Sequence, residues 1–143
     1  MIKVAIIGLG IMGRRMLQHM RIHEKFEPNY LWDPDKSACQ KAIEIDREAK
    51  IMNSPEQAIN AADLVYLACP PEVRVAHAIK AAQKGKALFL EKPLGIDIDH
   101  SKSLINKLKG LNVPLAVNFT QAAGSALNDL IKAKSDGELG EMI

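Results

Sequence analysis

Cysteine is nearly missing from this sequence. Cys39 and Cys69 are the only two, and they supply neither a disulfide framework nor a ligand cluster. Both are expected as small buried hydrophobes, in a chain suited to the reducing cytoplasm. Clustered charge is missing too: the formal net charge is +2 and the basic residues are spread from end to end, which excludes the electrostatic footprint of a nucleic-acid or anionic-membrane partner. The longest apolar run near the N-terminus, Val4 to Gly10, is too short to span a bilayer, and no cleavable-signal layout follows it. His19, His23, His77 and His100 have no partner at metal-ligand spacing. There is no nucleophile elbow or serine-triad pattern, and no Lys-Ser/Thr of the kind phosphoryl transfer requires. Repeats, low-complexity tracts and long linkers are also lacking. The chemistry therefore has to come from a bound cofactor.

What is present is the material of one globular domain. The 143 residues are 48% hydrophobic and 25% charged, a composition that sets disorder aside and suffices to bury about two thirds of the unfolded surface. Short apolar runs alternate with amphipathic stretches of helix length, the sequence form of βαβ units. This predicts an α/β fold, a doubly wound parallel sheet of about six strands with helices on both faces. Strands are expected at Lys3 to Ile7, Asn29 to Trp32, Lys50 to Asn53, Leu64 to Cys69, Ala87 to Leu90 and Pro114 to Phe119. Helices are expected at Ile11 to Glu24, Asp35 to Glu48, from Pro55 behind a Ser54 cap, at Val73 to Lys84 closed by Gly85, at Ile98 to Lys109, and at Gly124 to Ser135. Gly137 to Ile143 reads as the beginning of a further element. Met12, Met16, Leu17 and Met20 should line the inner side of the first helix, Ala38, Ala42 and Ile45 that of the second, and Val75, Ala78, Ile79 and Ala82 that of the fourth.

The pattern Gly8-x-Gly10-x-x-Gly13 is weak by itself, but it follows an apolar strand and opens a helix within a unit of about thirty residues, which gives it a mechanism. Gly8 permits the tight turn, Gly10 lets backbone approach a pyrophosphate, and Gly13 lets helix pack on strand. The helix N–H groups, including those of Ile11 and Met12, then face the anion. Asp33 stands 20 residues beyond Gly13, at the end of the second strand, where a carboxylate accepts hydrogen bonds from adenosine ribose hydroxyls. It also repels a 2′-phosphate. With no arginine in Pro34-Asp35-Lys36, NAD is expected over NADP, Lys36 being the one residue that softens the preference. Two plainer readings stand beside these: a strand-to-helix turn without ligand, and Asp33 as a cap for the next helix. Arg14 and Arg15 are expected on a solvated face.

From Cys69-Pro70-Pro71 through Gly85-Lys86 to Ala87-Leu88-Phe89-Leu90-Glu91-Lys92-Pro93-Leu94, the chain resembles the Gfo/Idh/MocA oxidoreductases, the glucose–fructose oxidoreductase and inositol 2-dehydrogenase superfamily. With the glycine turn and Gly137-Glu138-Leu139-Gly140-Glu141, the likeness covers essentially all of it. The resemblance implies an N-terminal Rossmann domain that binds NAD or NADP. It also implies a C-terminal α/β domain that shapes the substrate pocket and the interface of a homo-oligomer. That domain would begin where this chain stops, so residues 1–143 are expected to be part of a longer dehydrogenase. Lys92 would be catalytic, orienting substrate hydroxyls or assisting proton movement. Glu91 would support it, and Pro93 would fix the turn, with a cis bond as one form. Cys69, Pro70 and Pro71 would run beside the cofactor's ribose and nicotinamide.

The chain also departs from the family pattern. Arg74 replaces a frequent histidine, and His77 does not restore it: its helix phase, shared with Lys80 and Lys84, predicts a solvated side chain. Asn118 to Gly124 lacks a frequent arginine pair, leaving Asn118 and Gln121 to supply hydrogen bonds or merely to cap the last helix. The leading functional expectation is oxidation of a secondary alcohol on a sugar, cyclitol or related polyol by hydride transfer to NAD. A non-catalytic NAD(H)-binding or redox-sensing module is the alternative, and S-adenosylmethionine on the same turn a third.

Overall fold

β1 (Ile2–Ile7) is apolar without alternation because it is covered on both sides. Its side chains divide by parity. Ala5 and Ile7 join one core with Val65, Leu67, Leu88 and Leu90, while Val4 and Ile6 join the other with Leu31 and Tyr66. The computed structural model describes residues 1–120 and 124–140. It contains β2 (Phe26–Trp32), β3 (Lys50–Ile51), β4 (Leu64–Leu67), β5 (Ala87–Glu91) and β6 (Leu115–Asn118) in one sheet of order β3-β2-β1-β4-β5-β6. Every registered pair is parallel. This is the doubly wound arrangement expected from the alternation of elements, and its strand order reverses between β1 and β4.

Helices α1 (Ile11–Arg21) and α2 (Lys36–Ile45) cover one face, and α3 (Pro55–Ala61), α4 (Pro71–Gln83) and α5 (Ile98–Lys109) the other. Leu17, Met20, Ala38 and Ala42 close the first core; Ile59, Ala78, Ala82, Leu104 and Leu108 close the second. α6 (Ser125–Ser135) buries none of its residues. α5 has the expected bounds, started by Asp97, whose carboxylate accepts the His100 N–H at 2.7 Å. Gly85 ends α4 at φ 69°, and the Lys86 amide returns to the Ala81 carbonyl.

Several boundaries differ from expectation for identifiable reasons. β2 starts at Phe26 because the strand crosses Pro28 with a bulge: Lys3 faces Glu27 but Ala5 faces Tyr30. α2 stops at Ile45 because Asp46 turns to extended backbone, its carboxylate accepting from the Glu48 N–H and pairing with Arg21. α4 begins at Pro71, since proline is tolerated in a first helical turn. Its inner stripe is Arg74, Ala78, Ala81 and Ala82, with Val75 and Ile79 only partly covered. In α1, Met12 and Met16 are half-buried, and Gly13, Leu17 and Met20 carry the contact. β3 ends at Ile51, and β4 at Leu67. Of the further element expected over Gly137 to Ile143, residues 137–140 form no helix or strand, and the rest lies outside the described residues.

Candidate dinucleotide site

The carboxyl ends of β1, β2, β4 and β5 frame a cleft of about 590 Å3. Gly8 leaves β1 at φ 95°, and a Cβ there would lie 2.5 Å from the Cys69 nitrogen, so the turn rests directly on the chain leaving β4. Gly13 is closed in: a Cβ would lie 1.9 Å from the Gly8 carbonyl oxygen. Gly10 is the opposite case, with nothing within 4 Å of a Cβ built on it. It is the N-cap of α1 and offers no side chain to the first-turn amides, which are left without intrahelical partners. The cleft thus meets an uncapped helix N-terminus, with open space in front of Gly10 suited to an anion.

Asp33 is tied into this turn. One carboxylate oxygen accepts the Leu9 N–H at 2.6 Å and the other accepts the Asp35 N–H at 2.8 Å. The cap of α2 is Asp35, which takes the Ser37 N–H, so Asp33 is not the cap. Arg14, expected in solvent, is half-buried and donates to the Leu9 carbonyl at 2.6 Å. Both contacts hold the backbone on either side of Leu9, whose own side chain is fully buried.

Gly8, Gly10, Asp33, Cys69, Pro70, Pro71 and Lys92 all line the cleft. Ile11, next to Gly10, is 72% exposed and its side chain is not part of the lining. Met12 instead lines a neighbouring recess with Arg15, Lys92 and Phe119. Gly13 lies beneath the turn, and Glu91 is buried behind Lys92 at 2% exposure. The Glu91 carboxylate accepts from the Tyr66 hydroxyl and the Asn118 amide, each at 2.5 Å, and from the Lys92 N–H at 3.1 Å. Burial, with the carboxylate beside it, pushes the Tyr66 phenol far up, so Tyr66 is the donor. Asn118 thus serves the sheet end; Gln121 lies outside the described residues. The Lys92–Pro93 bond is cis. Cys39 and Cys69 are buried as expected, and burial is the main cause that raises both thiols. Their thiolates are correspondingly scarce at neutral pH.

Trp32, Val73, Arg74 and His77 line it as well; sequence reasoning put His77 in solvent and took Arg74 only as a departure from the family pattern. His77 is the clearest correction. It is half-buried, packs edge-on to Trp32 with ring centroids 6.0 Å apart, and its Nδ1 is buried without a partner. The indole from the end of β2 covers the side of α4 that helix phase alone assigns to solvent. Burial pulls the His77 pKa below its ordinary 6.5; Glu56 opposes this and Lys80 adds to it. Those two groups bridge each other at 2.5 Å on the exposed side. Because the unfolded chain takes up this proton first as pH falls, the contribution to stability is complete above pH 6.5 and is lost as acidity passes below it. Denaturant midpoints should therefore drop between pH about 7.5 and about 5.5, and His77→Gln should flatten part of that slope.

A glycine turn at the head of α1, on the switch point of a parallel sheet, defines a dinucleotide-binding Rossmann domain. The chain belongs to the Gfo/Idh/MocA family, described as an oxidoreductase family with an NAD-binding Rossmann fold, which matches residues 2–119. It is 25% identical, over 100% of its length and 39% of the other's, to an uncharacterized oxidoreductase of Streptococcus pneumoniae. It is 26% identical to inositol 2-dehydrogenase of Corynebacterium glutamicum, over 99% of its length and 43% of that enzyme's. The fold superposes with TM-score 0.84 at 17% identity on scyllo-inositol dehydrogenase of Lactobacillus casei solved with NAD(H) and scyllo-inositol, covering 98% of this chain and 42% of that one. The chain therefore spans about two fifths of these relatives' length. Among the described residues no helix is long and apolar enough to cross a membrane.

Proposed function

We propose that this chain is the cofactor-binding portion of an NAD-dependent dehydrogenase acting on a secondary alcohol of a cyclitol, sugar or related polyol. The observation that carries the reading is the open space before Gly10 at an uncapped helix end, with the Asp33 carboxylate beside it. Main-chain amides of α1, from Ile11 and Met12 onward, hold the pyrophosphate, and Asp33 keeps an oxygen lone pair for the adenosine ribose. The other half of the dinucleotide then runs past Cys69, Pro70 and Pro71 toward Lys92. NAD supplies the hydride acceptor when bound. Lys92, exposed at the cleft's end with Glu91 fixed behind it, orients the substrate hydroxyl and assists the departure of its proton. The names of the inositol dehydrogenases among the relatives favour a polyol. The remaining three fifths of the relatives' length is where a second domain would hold that substrate, so this chain by itself should bind dinucleotide and turn over little.

Trp32 is the sole tryptophan and lines the cleft, so binding can be followed by energy transfer from its indole to NADH. NADH should quench Trp32 saturably and outcompete NADPH by about tenfold or more, because a 2′-phosphate would meet the Asp33 carboxylate. Asp33→Ser should narrow that preference. It should also weaken NADH itself, since the Leu9 amide loses its tether. Calorimetric binding of S-adenosylmethionine with none of NADH would overturn the assignment. A whole protein that bound NAD tightly yet oxidised no member of a polyol panel would shift it to a redox-sensing module.

A further inference from the structure

Arg74 is the residue that the reading above leaves without a purpose. Its side chain leaves α4 on the inner side of the helix and is 2% exposed, yet none of its hydrogen bonds goes to a carboxylate. Nε and one terminal nitrogen donate to the Cys69 carbonyl at 3.1 and 2.6 Å. The other terminal nitrogen donates to the carbonyls of both Glu91 and Pro93. The Glu91 carboxylate is engaged elsewhere, by Tyr66, Asn118 and the Lys92 amide. A guanidinium carries its donors in a rigid fork and keeps its charge even where burial lowers its pKa, as it does here. One planar group therefore pins two separate chain segments, the exit of β4 at Cys69 and the exit of β5 from Glu91 to Pro93, at a fixed spacing. Those segments form the two walls of the cleft at the end away from Asp33, and Lys92 sits between two of the clamped carbonyls.

We propose that Arg74 is a positioning residue for the nicotinamide end of the cleft, setting the distance between the Cys69–Pro70 wall and the Lys92–Pro93 wall. It acts through those backbones, since four of its five N–H donors are spent on the three carbonyls. The inference rests on the dinucleotide reading, and the two fail differently. Lysine cannot replace arginine fully, because a single ammonium does not reproduce a fork spanning two segments.

The test compares NADH with ADP-ribose, which retains the adenosine, pyrophosphate and second ribose but lacks the nicotinamide. Both are titrated by calorimetry into this chain and its Arg74→Met and Arg74→Lys variants, NADH being followed by energy transfer from Trp32 as well, with melting temperatures recorded alongside. Arg74→Met should weaken NADH about tenfold while ADP-ribose stays within about twofold, and Arg74→Lys should fall between. Equal losses for the two ligands would reduce Arg74 to a structural residue, and unchanged NADH affinity would remove the proposal altogether. Should Arg74→Met fail to fold, the same ratio is read on Arg74→Lys. A wild-type chain binding neither ligand refutes the dinucleotide reading itself.

Discussion

Gly13→Ala should cost at least about 4 kcal/mol of stability, while Gly10→Ala should leave the fold standing and abolish dinucleotide binding. The two glycines are three residues apart in one turn, and their surroundings are opposite. A methyl at Gly13 meets the Gly8 carbonyl oxygen at 1.9 Å. That oxygen is backbone, in a turn that lies against Ala68 and Cys69 and is held by the Gly8 amide on the Trp32 carbonyl at 2.9 Å. Relief requires α1 to lift from β1, which uncovers the packing of Leu17 and Met20. At Gly10 a methyl meets nothing, so the fold has no reason to change, and the poorer N-cap that alanine makes costs only about 1 kcal/mol. The methyl would occupy the space through which phosphate oxygens approach the amides of α1. Chemical denaturation paired with NADH titration reads both effects; a Gly10→Ala variant that bound NADH normally would remove the pyrophosphate from this turn.

Glu91→Ala should cost about 3–5 kcal/mol, whereas Lys92→Met, one residue further on, should alter stability by less than about 0.5 kcal/mol. Removing the Glu91 carboxylate strands the hydroxyl of Tyr66, which is fully buried, and the Asn118 amide that bonds to the same oxygen. Lys92 is exposed and lines the cleft, so truncating its charge leaves no buried group unpaired. On the proposed function, its effect should fall on turnover by the whole protein, about 100-fold or more if it assists proton transfer. Melting curves of the two variants, set beside their initial rates with a polyol, test the division of labour within Glu91-Lys92-Pro93. A Lys92→Met enzyme with unimpaired turnover would return Lys92 to the status of a surface residue at a strand end.

How much of this was legible in the sequence depended on whether the deciding interaction is local. The strand-turn-helix at Gly8 to Gly13 was legible because glycine spacing, an apolar strand and an amphipathic helix are all encoded within one short stretch, and each limits the backbone directly. Ser54, Pro55 and Gly85 marked helix ends for the same reason. Asp33 was legible in place but not in partners: its spacing from Gly13 set it at the end of β2, whereas its bond to the Leu9 amide spans 24 residues. Arg74, read as a mere departure from a family pattern, was invisible as a clamp. Its acceptors are carbonyls, which carry no residue identity, lying 5, 17 and 19 residues away.

The amino-acid sequence by itself determined the α/β class, the order of its elements and the glycine turn, because periodicity, capping and glycine placement act through near neighbours in the chain; the family was legible only as a resemblance, in the residues from Cys69 to Leu94. Tertiary structure decided which side chains share the cleft. A helix phase assigns His77 and Arg74 a direction around α4, but the groups that lie in that direction arrive from strand ends far along the chain. Trp32 converts a surface histidine into a wall of the cleft, and the exits of β4 and β5 convert an inward arginine into a brace. Both outcomes follow from parallel strands ending at one edge of the sheet, an arrangement that exists only once the sheet is assembled.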